Sequence, residues 1–587
     1  MAKKKKKKKY KVKVGRIIFL LLFIVIIGFV ARIALDAKGM YDNAKTAKHQ
    51  LEAMLTDIKA EEYVSAQEKA AEVHDILKQI RAKVEGPIWE HCDKLPKYGG
   101  DYVAGCRLLD IADEMLDKYM GEGFALLDKH PLSSIKEDDK FNVKALLDYL
   151  AFAEEALPDV EAIVAEVSKM EISFDTNGLL HKYSGKVQEL IDVYHDAEVY
   201  IPLLKAILQN GENRLYLVVA QNSAEIRASG GYPGSIGTMR IKDGYLSIGD
   251  FNSVWNVLIW DYDPDKYSFQ EFYMFYGWLQ YPRDACYDPY YPRTAEIWAD
   301  SYEQCMHEYV DGVISLTPAI IQDILGCTGP ITVSDGTVLD GNYCTKYIQS
   351  DIYLKYLNAE EVYTDIAAGN DASDAIFGEV AQLAMKQVFS NLNPDTLTKF
   401  IDIVHKRIDD RIIMVWMKDP DAEEIIRSCG ASGEFNRDPQ NPQLGVFFSN
   451  CNPSKLGWYL DMDIKVGDPV ELWDGSLQYP VTVSLFNTID WDTVYYAGDY
   501  IAGNWELGPL ISYIHLVAPA GGYISDYWMD IWFPMEEDVY MGNQVVFARN
   551  FYMYPQEGAN VYFNVTTAPG VKTPLSVVHT PTLQEYR

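Results

Sequence analysis

Apolar positions along this chain change their period three times. Ile17 to Ala31 carries no charge and is closed by Arg16 and Arg32. Fifteen residues fall short of the ~20 that cross a bilayer as a helix. Snorkelling arginines extend the usable stretch, so residues 17–35 read as a transmembrane helix. From residue 36 to 210 apolar residues recur at helical spacing: Leu51, Met54, Leu55, Ile58, then Val73, Ile76, Leu77, Ile80, then Val187, Leu190, Ile191, Tyr194. Breaks at Gly86-Pro87, Gly99-Gly100, Pro131 and Pro158 predict four to six antiparallel helices in a bundle or stalk.

The pattern then becomes mixed. Leu215 to Ala220 reads as a buried strand that runs into a polar, glycine-rich turn. Met239–Lys242 and Tyr245–Ile248 flank Asp243-Gly244, a hairpin signal. Tyr309–Leu316, Ile331–Val333 and Arg411–Trp416 read as strands, while Pro318–Leu325 and residues 374–407 have helical spacing. Beyond residue 440, aromatic and β-branched residues alternate over 481–485, 511–517, 545–547 and 561–565, with turns at Gly521-Gly522 and Gln556–Gly558. Short strands spaced in this way predict a β-sandwich. The expected fold is multidomain α+β: a tail (1–16), a transmembrane helix (17–35), a helical bundle (36–210), a central α/β domain (211–440) and a β-rich sandwich domain (441–587).

Charge sets the expected orientation. Lys3 to Lys9, Lys11, Lys13 and Arg16 put ten positive charges before the span. The positive-inside rule holds such a tail in the cytoplasm, against anionic lipid, with the bulk of the chain extracytoplasmic. A cleaved signal peptide has a similar start, but no small-x-small site directly follows the apolar run. Removing the +10 of residues 1–16 from the formal −32 leaves −42 on the rest, which argues against nucleic acid as a partner. Eight cysteines in an exported chain suggest disulfides, most simply Cys92/Cys106, Cys286/Cys305, Cys327/Cys344 and Cys429/Cys451.

Common catalytic signatures are missing. There is no Gly-x-Ser-x-Gly elbow, Walker A loop or Gly-x-Gly-x-x-Gly, and His307-Glu308 lacks the second histidine of a metalloprotease helix. Asp261-Tyr262-Asp263-Pro264-Asp265 begins like a calcium loop but has Lys266 and Phe272 where glycine and glutamate belong. Two other sets of charges remain. Glu225 and Arg227 precede Gly230-Gly231 in the loop after the buried strand, and Arg283, Asp284 and Arg293 lie in a region rich in proline and tyrosine. Guanidinium forks suit phosphate or carboxylate ligands, and Asp284 could hold a divalent cation beside a phosphate. The competing reading is that these arginines pair with nearby acids as structural ion pairs.

Gln221-Asn222-Ser223-Ala224-Glu225-Ile226-Arg227 followed by Gly230-Gly231 resembles the signature of the bacterial domain of unknown function 4012 family. Asp243-Gly244, Arg283-Asp284-Ala285, Pro292, Asp311–Ile314, Thr328-Gly329-Pro330 and Ser350–Tyr353 match in order. Asn450, Ser454-Lys455 and Tyr459-Leu460 extend the resemblance towards the C-terminus. It implies an exported, membrane-anchored envelope protein, often Gram-positive, and brings no assigned activity. A more distant similarity, carried by Pro282-Arg283-Asp284, is to the LytR–CpsA–Psr phosphotransferases. Those enzymes move glycopolymers from a polyprenyl-pyrophosphate carrier onto peptidoglycan. Their further helix arginines have no counterpart here, since Asp371 to Gln387 holds only Lys386.

Two functions are expected from these observations. In one, the central domain binds or processes a cell-surface glycopolymer or its polyprenyl-phosphate precursor through Glu225, Arg227, Arg283, Asp284 and Arg293, with phosphotransferase-like activity as its enzymatic form. In the other, the protein is a non-catalytic scaffold or adhesion protein whose 41 tyrosines and 12 tryptophans present amphipathic surface.

Overall fold

The computed structural model describes residues 38–86, 91–96, 99–137, 140–172, 179–263, 267–391 and 394–587. The tail and membrane span expected within residues 1–35 lie outside them. Among the described residues no helix is long and apolar enough to cross a membrane. The protein is a mixed α/β molecule with several sheets, none closed into a barrel. Its chain divides into two compact units, one of residues 1–212 with 241–247 and 392–398, the other of the remainder.

The first unit is mainly helical. Lys38–Ala60, Tyr63–Val84, Gly99–Met115, Gly121–Lys129, Val143–Val167, Leu179–Glu198 and Ile201–Leu208 are its α-helices among the described residues. Leu51, Met54, Ile58, Val73, Leu77, Ile80, Val187 and Ile191 from the periodic stripes meet in one core with Leu108 and Ile111. Pro158 does not break the chain as its residue type suggests, because it lies inside Val143–Val167. The missing N–H costs one backbone bond, while Ala156, Val160, Ile163 and Val164 bury the helix on both sides of it. The hairpin turn forms as expected, with Asp243 and Gly244 at φ +53° and +84°, the left-handed pair of a type I′ turn.

In the second unit, β1 (Arg214–Asn222) lies between β2 (Tyr232–Lys242) and β3 (Gly312–Leu316), and β4 (Ile413–Met417) follows β3. β1 and β3 are parallel, with Tyr216 opposite Gly312, and β3 and β4 are antiparallel. A parallel pair needs a crossover. The helix Tyr291–Met306 lies within it, and its Ala295, Trp298 and Tyr302 pack on Leu215, Leu217 and Val219.

Two further sheets come from the C-terminal part. One has the order β10 (Glu536–Tyr540), β11 (Asn543–Met553), β8 (Leu510–Val517), β5 (Gln443–Asn450), β13 (Ser576–His579). The other runs β6 (Leu460–Val466), β7 (Leu477–Asn487), β12 (Gly558–Thr566), β9 (Tyr523–Met529). Val446, Phe448, Ile514, Leu516, Val483, Leu485, Val561 and Phe563 share a core supplied by both. β8 is buried along its whole length. Ile514 and Leu516 join that core, whereas Ile511 and Tyr513 pack with Tyr287 and Trp278 from the central part. Residues on either side of position 440 therefore belong to one compact unit.

Candidate functional site

β1 ends at Asn222, and the residues after it are fixed by their own polar groups. Asn222 Oδ1 and Gln349 Oε1 both accept from the Ala224 N–H, at 3.0 and 2.9 Å. The Gly230 N–H donates to Arg227 O at 2.9 Å and the Tyr232 N–H to Glu225 O at 3.0 Å. A Cβ on Gly231 would lie 2.4 Å from Asn222 O, and Gly230 has φ +116°. The turn thus requires both glycines. The loop is then sewn to the segment around the end of β5. Asn450 N–H donates to Ile226 O, Gly457 N–H to Ala224 O and Ala228 N–H to Ser449 Oγ.

That docking delivers Lys455 to Glu225, and their side chains form a hydrogen-bonded ion pair. Lys455 is only 7% exposed and lies 4.6 Å from the Tyr353 ring. Burial disfavours its ammonium, yet Glu225, Tyr353 and Tyr500 outweigh that cost and hold its pKa above the ordinary value. Arg227, 4% exposed, donates from Nη1 to Ile226 O at 3.0 Å and leaves Nε without a partner. Its guanidinium lies 4.8 Å from the Tyr287 ring and 5.9 Å from that of Tyr232. Burial opposes the charge, but Tyr287, Cys286, Asp284 and Glu225 push the net shift upward.

Asp284 is the counterpart. Burial pushes its carboxyl up to about 6, although Arg227 and Arg283 pull in the other direction. Arg283 Nε is 3.7 Å from its Oδ2. The Arg283 guanidinium is caged by Trp255, Trp260 and Tyr281, at 4.6, 4.3 and 4.9 Å from their ring centres. Trp255 and Trp260 are 56% and 59% exposed, so this cage opens to solvent.

Glu225, Arg227, Arg283 and Asp284 are therefore brought together electrostatically, whereas Arg293 is elsewhere. Its Nη1 bonds Glu296 at 3.1 Å and its guanidinium lies 5.5 Å from the Tyr267 ring. Arg293 belongs with Asp288, a fully buried carboxylate that accepts from Tyr540 OH and from Tyr290 N–H. Burial pushes Asp288 up to about 7. Among the described residues the one grouping of metal-ligating atoms is His74, Asp113 and Asp117 in the helical unit, and Asp284 is not part of it. The proposed calcium loop is only partly described, since residues 264–266 lie outside.

None of the eight cysteines, all of them described, is joined to another. The expected pairs Cys92/Cys106, Cys286/Cys305, Cys327/Cys344 and Cys429/Cys451 do not form; in the second of them the two thiols face different backbone carbonyls. Cys286 Sγ donates to Arg283 O at 3.5 Å, whereas Cys305 Sγ faces Asn256 O at 3.9 Å. Cys451 Sγ donates to Ile511 O at 3.2 Å. Burial pushes the Cys344 and Cys451 thiols up to about 12 and Cys286 higher still.

Lys455, Tyr353, Trp255 and Trp260 complete the site and were not singled out as site residues from sequence. Lys455 and Tyr353 do sit inside the Ser454-Lys455 and Ser350–Tyr353 segments that carry the family resemblance; the two tryptophans had no such signal. Residues 211–353 match the family described as Protein of unknown function (DUF4012). That segment contains all five candidate residues, and Lys455 lies beyond it. No curated protein and no solved structure matches the chain.

Proposed function

From a central segment that belongs to a family of unknown function, we propose that this is a membrane-anchored envelope protein that binds a phosphate-bearing cell-surface glycan without transforming it. The span at residues 17–35 would hold the site outside the cell. The observation that carries this reading is the open cage in which Arg283 lies among Trp255, Trp260 and Tyr281, with Asp284 beside it. A guanidinium takes phosphate oxygens in a fork, and aromatic faces beside it suit the apolar faces of sugar rings. Arg227 adds a second positive charge behind, with an unpartnered Nε. The scaffold reading has its own support in the Glu225–Lys455 pair, which uses one candidate carboxylate for structure.

The test is calorimetric titration of the full-length protein in lipid nanodiscs with a hexose 1-phosphate and with a polyprenyl phosphate. Both carry the phosphate; only one carries the sugar. Hexose 1-phosphate should bind, and Arg283→Gln should weaken it at least about tenfold, or about 1.4 kcal/mol. Wild-type protein that ignores both probes, or an Arg283→Gln variant that binds equally well, would overturn the proposal.

A further inference from the structure

The aromatic cage does not end at Arg283. The rings of Trp260 and Trp255, both of which contact the guanidinium, lie 5.3 Å apart. Tyr281, the third ring at the guanidinium, is 6.4 Å from Trp278, and Trp278 stacks on Trp505 at 5.8 Å with planes 21° apart. Trp505, 55% exposed, comes from a loop far along the chain. Asn452 pins that loop: its Oδ1 accepts from the Trp505 N–H at 3.0 Å, and its Nδ2 donates to Glu506 O at 2.7 Å. Beneath the strip, Tyr287 stacks on Trp278 at 5.4 Å and 14°, and Arg227 lies under Tyr287. Trp255, Trp260 and Trp505 are thus exposed, Tyr281 and Trp278 are partly buried between them, and the Arg283 side chain is 17% exposed.

An exposed row of this kind costs solubility and marks an interaction surface. We propose that it binds a linear glycan of several sugars, mostly neutral and carrying a phosphodiester in register with Arg283, so that pyranose faces lie on the exposed rings of Trp255, Trp260 and Trp505. This rests on the glycan-binding reading above and names its ligand class. Charge decides the class. The chain beyond residue 16 carries −42, so a polymer with a negative charge at every unit would be repelled except at the guanidinium. A neutral chain with an occasional phosphate satisfies both the rings and Arg283. A monosaccharide phosphate or a lipid phosphate would use only the cage and leave Trp505 idle.

The experiment titrates full-length protein in nanodiscs with neutral oligosaccharides of one, two, four and six sugars, each bearing a single phosphodiester. Affinity should rise with length and then level off. Trp505→Ala should lose about tenfold for the six-sugar probe and leave the one-sugar probe unchanged, while Trp505→Phe should restore the long-chain gain. Thermal melting of each variant separates lost rings from lost folding. Arg283-dependent binding with no length dependence, or a Trp505→Ala variant equal to wild type on the longest probe, overturns the strip and leaves the glycan-phosphate reading standing. No binding at any length overturns both. A proline-rich peptide that displaces the six-sugar probe and binds more tightly than it would reassign the row to a protein partner and overturn the proposal.

Discussion

Lys455 carries the charge balance of the candidate site. It is buried, it pairs with Glu225, and it reaches that partner across 230 residues. Removing one member of a buried pair leaves the other charge desolvated, at a cost of about 3–5 kcal/mol. Lys455→Met should therefore destabilise the protein by that order in urea unfolding, and Glu225→Gln combined with it should recover a large part. Additive losses in the double variant would refute the pairing. Residue chemistry also sets a pH dependence with two opposing arms. Asp284 and Asp288 rise from an ordinary 3.8 to about 6 and about 7 because both are buried. The folded state binds their protons more tightly, so their contribution is full below pH 3.8 and is lost as pH rises through 6 and 7. His515, enclosed between the rings of Phe275 and Phe547, is lowered by burial from 6.5 to about 3. Its contribution is full above pH 6.5 and is lost as pH falls towards 3. Asp288→Asn keeps an acceptor for the Tyr290 N–H and can donate from its amide to the Tyr540 hydroxyl, and it should flatten the fall of the melting temperature between pH 5 and 8, leaving the acid limb intact. An unchanged slope would show that Asp288 does not titrate in this range.

Elements were legible where local pattern decides them. The run Leu215–Ala220 is β1, Ile511–Val517 lies within β8, and the Asp243-Gly244 turn has the expected handedness, because period and turn chemistry are local properties. Legibility failed where the deciding contact is distant. Pro158 looks like a break, but packing on both sides keeps the helix continuous. Cysteine spacing suggested bridges, yet Cys286, Cys305 and Cys451 each face a different backbone carbonyl. The loop after β1 lies between these cases: its glycines announce a tight turn, while its partners Gln349, Ser449 and Gly457 come from remote segments. Gly231→Ala tests the element directly. A methyl 2.4 Å from Asn222 O must push backbone aside, which should cost about 1–3 kcal/mol. It should also loosen Arg227, read as faster amide exchange across residues 224–231. Stability within about 0.5 kcal/mol of wild type would mean that the turn relaxes freely.

At the scale of the whole molecule, sequence divides what packing joins. Composition changes near residue 440, from mixed α/β to alternating strands, and a domain boundary is the natural reading. The physical connection is β8, whose two faces serve two cores: Ile514 and Leu516 meet the second sheet, while Ile511 and Tyr513 meet Tyr287. Val517 at the end of β8, with Phe447 and Phe547 on the neighbouring strands, likewise packs against Phe275 and Leu279. No local pattern distinguishes a strand buried on one face by its own domain and on the other by a preceding segment. A fragment of residues 441–587 should consequently expose a broad apolar sheet face, bind a hydrophobic dye and self-associate. Residues 211–587 should instead unfold in one cooperative transition, with tryptophan fluorescence and far-UV dichroism coincident. The same argument fixes how the site must respond. Lys455 and Trp505, which meet Glu225 and Trp278, both lie beyond residue 440, so a fragment ending at 440 should lose the long-chain gain in glycan affinity even if it keeps secondary structure. A 441–587 fragment that is monomeric, dye-silent and cooperatively folded would refute the single-unit account, and with it the idea that the C-terminal sheets complete the site.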